Sequence, residues 1–449
     1  MKTPRLLSAG LTLLLTLPLA LPPAWAIGLL PAYEAALVND PTYRAALREN
    51  EAGQQARVLG RAALLPVVSA SYSRNRNFAD ITTSTPGLAE RSDERYYNSQ
   101  SAALQLRQPL INHEGQARFR QGKAQTQASD AQFRARSQEV IVRLVELYAP
   151  AQYAEDQLAL AIAQRDAFAE QGKSNERLFQ RGEGTRTDLL ETQAKLDLAE
   201  AQVLEARDNL QNARDALAAM LGQRITALDP LSDQFRVRPM EPVTVETWQD
   251  LALNNNPEIS AQRYAVEIAR EEINKNQAGH SPRLDLIASL AKNESDTINT
   301  LNQSANTRSI GVQLSIPLYS GGAVTAATTQ AVANFEKARA DLDGRTSKVL
   351  VELRKQFNLT FSSTARIDAA RKALESAAVL VEATQKSVLG GQRTNVDVLN
   401  ARQQVFEARR ELVLQRYNYL LGYLRLRYAA GVLSVSDLRD VAGYFVAGK

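Results

Sequence analysis

The sequence predicts a mainly α-helical protein that carries a transmembrane β-barrel, built from one unit used twice. Three observations predict it. Landmark residues recur at a nearly fixed offset, each copy holds two alternating segments, and each copy holds a helical stretch far too long for an ordinary globular domain.

The repeat comes first, because fixed-period self-similarity decides how everything else is read. Asn39-Asp40-Pro41 recurs as Asn255-Asn256-Pro257, and Pro66 as Pro282, both 216 residues on. Pro109 pairs with Pro317 at 208, while Gly182, Asp188 and Gly222 pair with Gly391, Asp397 and Gly431 at 209. Two copies differing by about eight residues in one loop account for these offsets. The expected boundaries are repeat 1 over 27–222, a linker over 223–246, repeat 2 over 247–431 and a C-terminal segment over 432–449.

Ahead of the repeats stands a leader. Lys2 and Arg5 precede an apolar run from Leu6 to Ala20, and Ala24-Trp25-Ala26 supplies the small-x-small pattern of a cleavage site, so 1–26 reads as a signal peptide. Pro18, Pro22 and Pro23 argue against a spanning anchor. Cysteine is absent, which excludes disulfides, thiolate metal sites, thiol catalysis and a lipid-bearing cysteine. With Lys2 and Arg5 removed, 51 basic and 49 acidic residues remain, a balance that gives no reason to expect nucleic acid.

In the first copy, Val68, Ala70 and Tyr72 alternate with serines; Ala102, Leu104 and Leu106 alternate again after a polar segment at 79–98. In the second, Leu284, Leu286, Ala288 and Leu290 share a face, as do Ile310, Val312, Leu314 and Ile316 across a polar loop at 293–307. Period-two alternation predicts β-hairpins over about 66–110 and 282–318. Alternation alone fits a membrane barrel or a soluble hairpin equally.

The helices decide. The stretches 117–181 and 323–389 carry few breakers, and at about 1.5 Å per residue each reaches roughly 100 Å, which only a bundle of long rods can bury. Leu189, Thr192, Leu196, Ala199, Val203, Ala206, Leu210, Ala213, Leu217 and Met220 keep three-four spacing, a seam for close helix pairing. Val398, Ala401, Val405, Ala408, Leu412, Gln415 and Tyr419 repeat it. Turns are expected at Gly182-Glu183-Gly184 and Gly390-Gly391, and Pro150 is expected to kink or break the first long helix.

Four strands cannot close a barrel, and an open edge in lipid leaves backbone groups unsatisfied. Two chains would supply eight strands and a filled interior; three would supply twelve and begin to leave a lumen.

With these residues in hand, the chain resembles the TolC family of outer-membrane efflux and secretion ducts over nearly its whole length beyond the leader. The stretch Gly391-Gln392-Arg393-Thr394-Asn395-Val396-Asp397-Val398-Leu399-Asn400 carries the most specific local likeness, and Gly279 to Leu286 a second. The resemblance implies a homotrimer with a twelve-stranded barrel in outer-membrane lipid and a periplasmic α-helical tunnel. It also implies recruitment by an inner-membrane ABC transporter and a periplasmic adaptor protein, to pass an exported protein substrate. It implies a closed tip in which Arg393 matches a gating arginine, Thr187 and Asp188 its partners, and Asp397 an inward carboxylate that forms a ring. Two positions depart: Asn400 stands where the family has a second aspartate, and Val388 where it has a tyrosine.

His113 and His280 stand alone, and no nucleophile elbow, phosphate loop or metalloprotease helix is present. An enzyme is not expected, nor a cofactor or metal. Within the duct reading, type I secretion and small-molecule efflux remain open, the missing lipidated cysteine and the likeness to protease-exporting members leaning toward secretion. A soluble periplasmic coiled-coil adaptor is the competing class.

Overall fold

The computed structural model describes residues 26–84, 86–87, 89–232, 234–296 and 302–446. Residues 1–25 of the expected leader and 297–301 of the second hairpin loop lie outside them.

Helices α1 (Leu29–Asn39) and α2 (Pro41–Ala62) lead into strands β1 (Val67–Thr83) and β2 (Arg91–Ile111). Helix α3 (His113–Gln180) then turns back through α4 (Arg186–Leu221). The second copy repeats the order: α5 (Val245–Asn255), α6 (Pro257–Gln277), β3 (Arg283–Ser295), β4 (Gln303–Ser315), α7 (Ala323–Leu389) and α8 (Asn395–Ala429), followed by a short α9 (Val435–Ala442). Each α1–α2 and α5–α6 junction is set by an Asx-Pro pair. Asp40 accepts from the N–H groups of Thr42 and Tyr43, and Asn256 from those of Glu258 and Ile259, with proline at the first helical position in both.

The strands form one antiparallel sheet in the order β1-β2-β3-β4, so β1 and β4 are its edges. Their register sorts the side chains. Val68, Leu106, Ala288 and Ile310 lie in one row across the four strands, with Ala70, Leu104, Leu290 and Arg308 in the next of the same face. Leu286 with Val312 and Leu284 with Leu314 extend this face toward the helices. The opposite face carries Ser69, Gln105, Ser289 and Ser309, then Ser71, Ala103, Ala291 and Thr307. One face is therefore an apolar belt, exposed in the single chain at Val68, Leu104, Leu290, Ile310, Val312 and Leu314. The other is mainly polar, the division a water-filled barrel in lipid requires.

The strands run further than alternation alone predicts. The polar segment at 79–98 is mostly sheet, paired from Arg76↔Asn98 to Thr83↔Arg91. The backbone ladder needs no apolar side chains once polar pairs such as Asn77 Nδ2 to Ser99 Oγ (2.9 Å) satisfy the faces. The eight additional residues of the first copy thus lengthen a two-stranded ribbon beyond the four-stranded sheet. Pro109, which cannot donate to the ladder, sits beside a register shift in β2.

Pro150 does not divide the first long helix: α3 runs through it for 68 residues. Its own ring is exposed, but its helix neighbours Leu144, Val145, Tyr148, Ala149 and Ala151 are fully buried in the main core, and that packing outweighs one lost backbone bond. This core gathers α1, the middle of α3, the end of α4, α8, the linker and α9 midway along the rods. Tyr148 pins it, its hydroxyl donating to Ile27 O and accepting from Asp229 N. Nearer the sheet, α2 lies so close on α3 that a Cβ at Gly122 would stand 2.3 Å from the Ala56 carbonyl oxygen. Gly122 is therefore a close-approach position within the helix.

Candidate functional site

The ends of the helix pairs farthest from the sheet form the candidate gate. Each turn is cut by a glycine with positive φ, Gly182 at 75° and Gly391 at 71°. Each returning helix starts with the same motif. Thr185 is the N-cap of α4, and Asp188 Oδ2 accepts from Thr185 N (3.1 Å) and Oγ1 (2.6 Å), while Asp188 N donates to Thr185 Oγ1. Thr394 is the N-cap of α8, and Asp397 Oδ2 accepts from Thr394 N and Oγ1, both at 3.0 Å. These are reciprocal capping boxes. The Thr394 backbone N–H, its hydroxyl and the nearby Arg393 hold the Asp397 carboxyl below its usual range.

The two turns face each other across a groove lined by Thr187, Asp188, Val388, Arg393 and Asn395, among others. The structure therefore brings Thr187, Asp188 and Arg393 to one groove. Among the described residues no hydrogen bond or ion pair joins Arg393 to either within one chain. Asp397 and Asn400 stand three residues apart on one face of α8, outside the groove lining, with Asn400 exposed.

A second network here was not legible in the sequence. Gln171 Nε2 donates to Asn395 Oδ1 (3.1 Å) and to Asn175 Oδ1 (3.0 Å). Asn175 Nδ2 in turn donates to Thr192 Oγ1 at 2.8 Å, and both of these residues are buried. One polar chain thus ties the first turn of α8 to α3 and α4. Phe168, Ala199 and Leu399 form a small apolar cluster nearby. Polar residues on a long helix look solvated in sequence; only the packing of three helices shows which are enclosed. Thr192, at a seam position expected to be apolar, was the one available signal.

At the helix end of the sheet, Asp285 is buried on the polar face between Arg107 (2.6 Å) and Arg283 (3.1 Å). Among the described residues no helix is long and apolar enough to cross a membrane, and no His, Asp or Glu cluster is arranged to hold a metal ion.

The family described as Outer membrane efflux protein matches residues 32–223 and, separately, 248–432, one match for each copy. The chain is 47% identical over 428 residues to the Alkaline protease secretion protein AprF of Pseudomonas aeruginosa, covering 95% of this chain and 89% of that one. It is 40% identical over 425 residues to the Proteases secretion protein PrtF of Dickeya chrysanthemi, with 94% and 92% covered. To the Outer membrane protein TolC of Vibrio cholerae it is 30% identical over 429 residues, 95% of each. The crystal structure of the outer membrane protein VceC from Vibrio cholerae shares the fold, with a TM-score of 0.76 at 19% identity over 90% of this chain and 96% of that one. The adaptor alternative fails on these matches and on the apolar belt of the sheet, which an aqueous compartment would not tolerate. A duplicated chain whose apolar-belted sheet continues into rods of roughly 100 Å is an outer-membrane channel protein, and the chain belongs to the outer membrane efflux protein family, the channels of TolC type.

Proposed function

We propose that the chain is the exit duct of a type I protein secretion system. Three copies close a twelve-stranded barrel, and an inner-membrane ABC transporter and a periplasmic adaptor recruit the helical tunnel. Repeats 27–222 and 247–431, joined by 223–246, each supply one hairpin and one helix pair.

The observation that carries the duct is the open sheet: β1 and β4 end it with unpaired edges while one of its faces is apolar. In lipid such edges must pair, and only neighbouring copies offer matching strands. Similarity to two protease secretion proteins over more than nine-tenths of this chain supports an exported protein as cargo. The lumen-facing rows beside the belt carry serine, alanine, threonine and glutamine, with Arg107, Arg283 and Asp285 at the helix end. A wall of this kind passes a polypeptide without holding it.

At the tip, Thr187, Asp188 and Arg393 act as the latch, and Asp397 forms a carboxylate ring that attracts cations. Asn400 adds no second ring of charge, which leaves the constriction less cation-binding than two rings would make it.

The test is complementation in a strain lacking the gene, assaying a secreted protease in the medium and susceptibility to small toxic compounds in the same cells. Restored secretion with unchanged susceptibility supports the proposal. Restored resistance without secretion assigns the duct to efflux.

A further inference from the structure

Above the apolar belt, away from the helices, the same face of the sheet changes character. The row of Tyr72, Ala102, Lys292 and Asn306 follows that of Arg308, and the rows of Arg74 with Gln100 and Glu294, then Arg76 with Asn98, follow in turn. The carboxylates at this height are held: Glu294 by Lys292 and Gln100, and Asp296 by the backbone N–H of Asn98. Arg74, Arg76 and Arg308 are exposed, and among the described residues no carboxylate pairs with them.

Arg308 is the telling position. It shares its row with Ala70, Leu104 and Leu290, so it sits within the lipid-facing belt at its upper margin. A charged side chain on the lipid face costs up to about 2–4 kcal/mol at mid-depth and roughly 0–1 near the interface. Its tolerance there depends on reaching an anionic surface just above. Arginine suits that task, since its planar fork binds phosphate oxygens two at a time.

The three arginines lie on opposite edges of the sheet, Arg308 on β4 and Arg74 and Arg76 on β1. Closure of the barrel joins β4 of one copy to β1 of the next, about 4.8 Å away. We infer that each such seam binds the phosphate groups of outer-leaflet lipid, with Arg308 from one copy and Arg74 and Arg76 from its neighbour converging on them. This rests on the trimeric closure proposed above. The seam lipid would stabilise the barrel at the one place where no covalent connection crosses it.

The experiment uses the full-length protein purified from outer membranes, stripped of lipid in detergent and sized by light scattering. It is then mixed with bisphosphorylated lipid A, with fully dephosphorylated lipid A, or with inorganic phosphate. Lipid retained through gel filtration and the shift in thermal dissociation of the oligomer are measured. Bisphosphorylated lipid should be retained at least about tenfold better than dephosphorylated lipid, and inorganic phosphate should not raise the dissociation temperature. Arg74→Gln/Arg76→Gln/Arg308→Gln should abolish the difference, and the corresponding Lys triple variant should restore part of it. Equal retention of the two lipids by wild-type trimer overturns the inference, as does a Gln variant that keeps the full difference. If the Gln variant does not assemble, the wild-type comparison between lipids decides alone. A wild-type protein that sizes as a monomer overturns the closure itself, whereas a trimer indifferent to phosphate overturns only the lipid site.

Discussion

Gln171 and Asn395 are 224 residues apart in sequence, yet the Gln171 amide donates to Asn395 Oδ1 at 3.1 Å and fastens the first turn of α8 to α3. Because Gln171 also holds Asn175, and Asn175 holds Thr192, loss of either end unties a chain and not one bond. A neutral hydrogen bond contributes about 0.5–1.5 kcal/mol, and leaving a buried partner unsatisfied costs roughly 1–3. Gln171→Ala and Asn395→Ala should each raise single-channel conductance in planar bilayers, and the double variant should add little to either. Additive effects would show that the two residues act separately.

Arg393→Ala and Asp188→Ala should loosen the tip and raise baseline conductance as well. Asp188 also caps α4, so Asp188→Asn serves as the milder comparison, keeping an acceptor for Thr185. Unchanged conductance in both alanine variants would remove the latch assignment.

Asp397→Asn should abolish block of the pore by multivalent cations while leaving the α8 cap largely in place. Block that survives places the constriction elsewhere.

The Asp397 carboxyl is held below its ordinary value of 3.8, first by the Thr394 backbone N–H and hydroxyl and then by Arg393. The sign follows: the folded state prefers the ionised form, so its stabilisation of the cap is complete above about pH 4 and fades as pH falls through the lowered folded value. Cation block should therefore persist unchanged from neutral pH to about 5. A block that titrates near pH 6 would require a different group.

Gly122→Ala should destabilise the α2–α3 contact, since its Cβ would meet the Ala56 carbonyl oxygen at 2.3 Å and backbone must move; overpacking of this kind costs about 1–3 kcal/mol. Gly344→Ala on α7, with nothing within 4 Å, should be neutral or stabilising by about 0.5–1 kcal/mol. Thermal dissociation of the purified oligomer would separate them, and equal behaviour would contradict the close approach.

Much of the fold was legible because its signals are periodic. The offsets between Pro66 and Pro282, and between Gly222 and Gly431, are fixed along the chain. Alternation in the strands and three-four spacing on α4 and α8 record which face is buried. Gly222 and Gly431 were legible as repeat marks, and the structure adds their use: with φ of 68° and 72° they end a helix (α4) or the turn after one (α8) against Asn39 and Asn256 of the paired motif.

The sequence by itself determined the duplication and the alternation of strand and long helix, since each is recorded in short-range patterns along the chain. Tertiary structure alone decided that α3 runs through Pro150 and that the polar hairpin segments remain strand. It likewise decided that Gln171, Asn175, Thr192 and Asn395 share one network and that Arg74 and Arg308 occupy opposite edges of one face. The physical reason is range. Periodicity and capping are written in separations of two to four residues, whereas enclosure of a polar side chain and the height of a charge on a sheet depend on strands and helices brought together from distant parts of the chain.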